Sequence, residues 1–280
     1  RAIHADVNQY AITWGAASLR EAIAAKYQRL YDLSVDPDRE VTVTCGATEA
    51  MVASMLAIVD PDDEVVVLEP FYENYGPDAI LSGASPLFLS LRPPEYRLET
   101  DRLAELVTPR TRAIILNTPN NPTGRVFDRR EMEGVAAIAR EHDLVAITDE
   151  IYEHIVYEGE HIPMATLDGM RERTVTVSGL SKTFSITGWR IGTVVAPPNL
   201  TDAIRKVHDF LTVGAPAPLQ EACAEGIRKL GESYYSELVR GYSERRRILV
   251  EALRAADFRC SMPGGAYYVH IVYNWVWAKA

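Results

Sequence analysis

Four short segments of this 280-residue sequence carry residue types that do chemistry together. They are Gly46-Ala47-Thr48, the run NTPNNPTG from Asn117 to Gly124, Asp149-Glu150-Ile151-Tyr152, and Ser178-Gly179-Leu180-Ser181-Lys182. A glycine turn that opens a helix offers backbone N–H groups to an anion. A lysine amine attacks carbonyl carbon and carries protons. An amide, a carboxylate and a phenol complete the set. Such a site asks for a ligand with an anionic end, a ring and a group that lysine can attack. Singly, each element has an ordinary structural explanation. Gly-Ala-Thr caps helices, Asp149 at a strand end caps one too, and Asn121 before proline is turn chemistry. Lys182 alone is a solvated lysine, and Arg190 alone is one half of a structural ion pair.

The elements around these segments give them a common place. Apolar, β-branched runs predict strands at residues 41–45, 64–68, 112–117, 144–148, 174–178 and 191–196. Continuous apolar runs of this length read as strands covered on both faces. Helical patterns lie between them, at 47–58, 129–142 and 200–210. An earlier helix runs to about Leu30, with Ser18 as its cap and Glu21 at the capping-box position. The alternation predicts an α/β fold with a mostly parallel sheet between layers of helices. In such sheets ligands bind beyond the carboxyl ends of the strands, which is where all four segments fall. After Ala215 two helical patterns follow, at 218–230 and 234–256, and AYYVHIVY from Ala266 to Tyr273 reads as a closing strand. We expect a large domain over residues 1–240 and part of a small α+β domain over 241–280.

Composition narrows the function further. Lysine and arginine number 29 against 39 acidic residues, a net charge of −10, which disfavours binding to nucleic acid backbones. No window approaches the roughly 18 apolar residues of a membrane span, and the first residues lack a signal-peptide core. Three scattered cysteines (Cys45, Cys223 and Cys260) predict a reduced, cytoplasmic protein. The six histidines show no metal-ligand spacing, so no metal is expected. Arg245-Arg246-Arg247 reads as a solvated helix face.

With these residues in place, the sequence resembles the class I/II aminotransferases, fold type I enzymes that use pyridoxal 5′-phosphate. The resemblance runs from NQYAITWGAASLREAIA through GATEA, EPFYENY, NTPNNPTG, DEIYEHIVY and SGLSKTFSITGWRIG to PGGAYYV. It implies that Lys182 forms a Schiff base with the cofactor and then shuttles the substrate α-proton. It implies that Asp149 pairs with the pyridine nitrogen, which keeps the ring an electron sink. Tyr152 and Asn121 would bind the ring oxygen, and Tyr72, or failing it Phe71, would stack on the ring. Asn117 would orient the ring pocket or merely close its strand. Gly46, Ala47, Thr48 and Arg190 would hold the phosphate, with a hydroxyl from Ser178 or Ser181. Tyr10 would reach the phosphate of a neighbouring subunit, which makes the active site shared and the enzyme a homodimer. The partners implied are an amino acid and a 2-oxo acid, with no nucleic acid and no membrane.

Members of that family are longer than this sequence. The expectation is therefore a fragment, without the segment that covers the substrate and without most of the small domain. No arginine here matches the one that clamps the substrate carboxylate, and YNWVWAKA from Tyr273 to Ala280 departs from the family pattern. Two other functions share these motifs: β-elimination from cysteine-type substrates, and the effector domain of a cofactor-sensing transcription regulator.

Overall fold

The structure is a computed structural model that describes residues 1–271. Seven strands form one sheet: β1 (Val41–Thr44), β2 (Glu64–Glu69), β3 (Ser85–Ser90), β4 (Thr111–Asn117), β5 (Val145–Asp149), β6 (Thr174–Gly179) and β7 (Gly192–Val195). Their spatial order is β1-β7-β6-β5-β4-β2-β3. Neighbours from β3 to β6 pair parallel, whereas β7 pairs antiparallel with both β6 and β1. The physical reason lies in the connection. The chain between β6 and β7 holds one turn of 3-10 helix (Thr187–Trp189) and no crossover helix, so β7 returns beside β6 in the opposite direction.

Side chains on each strand alternate between two buried layers. Val66, Leu68, Ile114, Leu116 and Ala146 pack under α4 (Thr100–Leu106) and α5 (Arg129–Glu141). Val65, Val67, Ile115, Ile147, Val175 and Val177 pack on the other face against α2 (Ala47–Ile58), α3 (Tyr75–Leu81) and α6 (Pro198–Leu211). Both sheet faces are therefore apolar, which is why these strands read as unbroken hydrophobic runs. A third layer joins α1 (Ala17–Tyr31) and α7 (Ala217–Lys229) to β1 and β7.

Three expectations need correcting. Strand β3 was absent from the sequence reading because it is a half-exposed edge strand with Pro86 at its second position, a residue tolerated only at edges. Ser18 does not cap α1: the helix begins after Ala16, and the Ser18 hydroxyl donates to Glu221 at 2.6 Å. The closing strand over 266–273 does not form within the described residues, where only single bridges join Val156 to Gly265 and Cys260 to Ile271. Its last two residues, and all of YNWVWAKA with Trp275 and Trp277, lie outside the described residues. The last helix, α8 (Glu232–Ala255), runs without a break through the domain boundary expected at 240/241, so the two units would share it. Among the described residues no helix is long and apolar enough to cross a membrane.

Candidate active site

The carboxyl ends of β4, β5 and β6 open onto one cavity of about 160 Å³. Its walls include Ala47, Thr48, Tyr72, Tyr75, Asn121, Asp149, Tyr152, Ser181, Lys182 and Arg190, together with Tyr268. Parallel strand direction is what brings these loops to one edge.

Asp149 ends β5 and lies at the bottom of the cavity, almost wholly buried. Its Oδ2 accepts the Tyr75 hydroxyl at 2.7 Å and its Oδ1 accepts the Ile151 N–H at 3.1 Å. Burial pushes its carboxyl up to about 6, against the pull of those two bonds and of the Lys182 charge. Among the described residues no cation forms an ion pair with it. Asn117 locks the neighbouring loop in place: its Nδ2 donates to the Asp149 carbonyl at 2.9 Å, and its Oδ1 accepts the Asn121 N–H at 2.7 Å. It thus ties together the ends of β4 and β5, where Asn117 and Asp149 are the last pair of the ladder.

Tyr152 meets the Tyr268 hydroxyl at 2.9 Å and the edge of the Tyr267 ring at 5.3 Å. Burial raises its phenol far above the ordinary value, so it is a neutral hydrogen-bonding group. Lys182, half-buried, lies in the β6–β7 loop with its ammonium 5.8 Å from the centre of the Tyr267 ring. Tyr72 lines the cavity, edge-on to Tyr75, while Phe71 turns away and stacks on Phe88.

The opposite end of the cavity is built for negative charge. Ala47 and Thr48 form the first turn of α2, where unpaired N–H groups and the helix dipole favour an anion. Gly46 turns the chain into that helix at φ +87°, and the Arg190 guanidinium crosses over it. A Cβ at Gly46 would stand 2.4 Å from Arg190 Nη2, and one at Gly192 would stand 2.2 Å from the Gly46 carbonyl carbon. Both positions therefore need glycine. Arg190 itself sits at φ 56°, a left-handed conformation that aims its side chain across the turn. Its Nη1 reaches the Thr187 carbonyl at 3.3 Å, and among the described residues no carboxylate pairs with it.

Two expected residues lie elsewhere. Ser178 does not line the cavity: its hydroxyl donates to Glu153 Oε1 at 3.0 Å, leaving Ser181 as the serine on the wall. Tyr10, expected at the site of a neighbouring subunit, is 86 % exposed. Sequence reasoning missed Tyr75 as the hydrogen-bond donor to Asp149. It closes EPFYENY as the first residue of α3, and nothing in that run marks its reach to the end of β5.

The sheet gathers a lysine, a buried carboxylate without a cation and a helix start suited to an anion at its carboxyl edge, an arrangement suited to a phosphorylated, ring-bearing cofactor. The chain belongs to the class I and II aminotransferase family, whose model matches residues 1–276. The solved structure of N-succinyldiaminopimelate aminotransferase from Mycobacterium tuberculosis superposes with a TM-score of 0.93 at 40 % identity, covering 95 % of this chain and 70 % of that one. Methionine aminotransferase of Escherichia coli is 39 % identical over 95 % of this chain and 69 % of its own length. Human kynurenine–oxoglutarate transaminase 1 is 36 % identical over 94 % and 67 % respectively. The family uses pyridoxal 5′-phosphate, and the chain is an aminotransferase. Elimination and transcriptional sensing are not favoured by these relatives.

Proposed function

We propose that this cavity holds pyridoxal 5′-phosphate and that the chain exchanges amino groups there between α-amino acids and 2-oxo acids. The observation that carries the assignment is a pair of unanswered charges. Asp149 is buried without a cation at one end of the cavity, and Arg190 stands without a carboxylate at the other, beside the start of α2. A ligand with a cationic ring nitrogen and a phosphate answers both.

When bound, the cofactor supplies an electron sink for the substrate α-carbon. The chain's own residues do the rest. Asp149 would hold a proton on the ring nitrogen. Asn121 and Tyr152 would hydrogen-bond the ring oxygen, and Tyr72 would cover one ring face. Ala47 and Thr48 N–H groups, the Ser181 hydroxyl and Arg190 would hold the phosphate. Lys182 Nζ would anchor the cofactor and serve as the base that takes and returns the proton of the substrate α-carbon. The relatives named above carry three different amino donors in their names, which supports the α-amino acid class rather than one member of it.

We read the active unit as a homodimer. Tyr10, Ile12, Phe210 and Val213 are exposed on two adjacent segments, which the His208–Thr13 bond holds together. Apolar surface concentrated in this way favours a protein partner, and a second copy would bring Tyr10 to the neighbouring phosphate. The cysteines Cys45, Cys223 and Cys260 are all free, in keeping with a cytoplasmic setting.

The test is a visible absorption spectrum of purified protein supplied with the cofactor. A yellow band that α-amino acids bleach and 2-oxo acids restore is expected, and Lys182→Ala should lose it. A protein that stays colourless with cofactor in excess would refute the assignment.

A further inference from the structure

The first turn of α2 contains a second negative group. Glu49 follows Ala47 and Thr48, and its carboxylate folds back to accept the Cys45 N–H, just before the turn assigned to phosphate. A carboxylate at that place uses the same helix N-terminus that an anionic ligand needs, and it repels that ligand. The structure answers it with one residue from α6. His208, fully buried, presents Nδ1 to Glu49 Oε1 at 2.6 Å and Nε2 to the Thr13 carbonyl at 2.8 Å. Both ring nitrogens face acceptors, and a neutral imidazole has one N–H to give, so the geometry requires the doubly protonated ring. Thr212 Oγ1 adds a third donor to Glu49 at 2.7 Å.

We propose that His208 is a charge-balancing residue of the phosphate site: it neutralises Glu49, so that the start of α2 keeps its positive potential for the cofactor phosphate. The pair also fastens the segment of Thr13, which follows exposed Tyr10, to the cradle. This rests on placing the phosphate at Gly46–Thr48 and Arg190. Burial alone would lower His208's pKa, yet the bonds to Glu49 and Thr13 outweigh it and the net shift is upward. Burial likewise works to raise Glu49, and the donors around it turn the net shift downward. The other titratable groups facing the pair are Asp209 on α6 and Cys45 before α2, and Arg190 from the β6–β7 loop acts on Cys45.

The experiment compares binding of pyridoxal 5′-phosphate with binding of pyridoxal, which lacks the phosphate, to the cofactor-free chain. His208→Gln is expected to weaken the phosphorylated ligand about tenfold while pyridoxal stays within about twofold. The double variant Glu49→Gln/His208→Gln removes both charges and should recover most of the loss. In the parent protein, preference for the phosphorylated ligand should decline as pH rises through the raised His208 pKa, and His208→Gln should lack that decline. Equal weakening of both ligands, or no recovery in the double variant, would overturn the proposal. Arg190→Ala separates the two levels. If it spares the phosphorylated ligand, the phosphate assignment itself fails; if it weakens that ligand while His208→Gln does not, the charge-balancing role alone fails.

Discussion

Asp149, the last residue of β5, and Glu153, four residues further on, are buried carboxylates whose surroundings push them in opposite directions. Burial works to raise both. Around Glu153 it is overcome: Lys26 Nζ lies 2.6 Å from Oε1, Tyr31 donates to Oε2 at 2.6 Å, Ser178 donates to Oε1, and His154 and His161 stand near. Its carboxyl is held far below the usual range. Around Asp149 burial wins, because its partners are a neutral phenol and one backbone N–H. The protein neutralises one carboxylate itself and leaves the other, on the proposed assignment, to a ligand. That contrast separates a structural acid from a functional one more sharply than residue type does.

The comparison can be broken from either side. Removing the cation, Lys26→Ala, strands a buried charge and should cost about 3–5 kcal/mol of stability in denaturant unfolding. Asp149→Asn should act with the opposite sign on the cofactor-free protein. A carboxyl whose folded pKa is about 6, against 3.8 when unfolded, binds its proton more tightly in the folded state. It therefore lowers stability progressively as pH rises from about 4 to above 6. The variant should gain on the order of 3 kcal/mol relative to parent at pH 8 and little at pH 4, while it loses transamination. A smaller effect is expected for Tyr75→Phe, which takes away the phenol that lowers Asp149 and costs about 1 kcal/mol at neutral pH. Cofactor affinity is linked to the same group. A cationic ring nitrogen binds best to the ionised form, so affinity should fall as pH drops through about 6, and in Tyr75→Phe that fall should begin at higher pH. Ser178→Ala should do least, a few tenths to about 1 kcal/mol of stability, with cofactor affinity unchanged because its hydroxyl serves Glu153.

Much of this was legible in the sequence, for identifiable reasons. Central strands such as β4 and β5 bury both faces, so their apolar runs are long and unmistakable, and the polar residues that follow them mark the cavity. The residues that were misread are those whose surroundings come from distant segments. Ser178 lies beside Lys182 in sequence, yet a partner four residues beyond Asp149 claims its hydroxyl. Ser18 looks like a cap, yet the helix starts one residue before it and its hydroxyl donates to Glu221 of α7. Tyr75 looks like the core residue it also is, and only the reach from α3 to the end of β5 gives its hydroxyl a second task. Strand β3 has a weak pattern because half of it faces solvent.

The antiparallel return of β7 has a consequence for the order of binding. Lys182 and Arg190 sit on one loop whose ends are clamped together where Gly179 pairs Gly192. On the proposed assignment, a ligand held by Arg190 would already share a cavity with Lys182, and its capture by the amine would be an intramolecular event. The rate of that second step would then depend on the effective concentration that the clamped loop imposes, and hardly at all on how much ligand is free in solution.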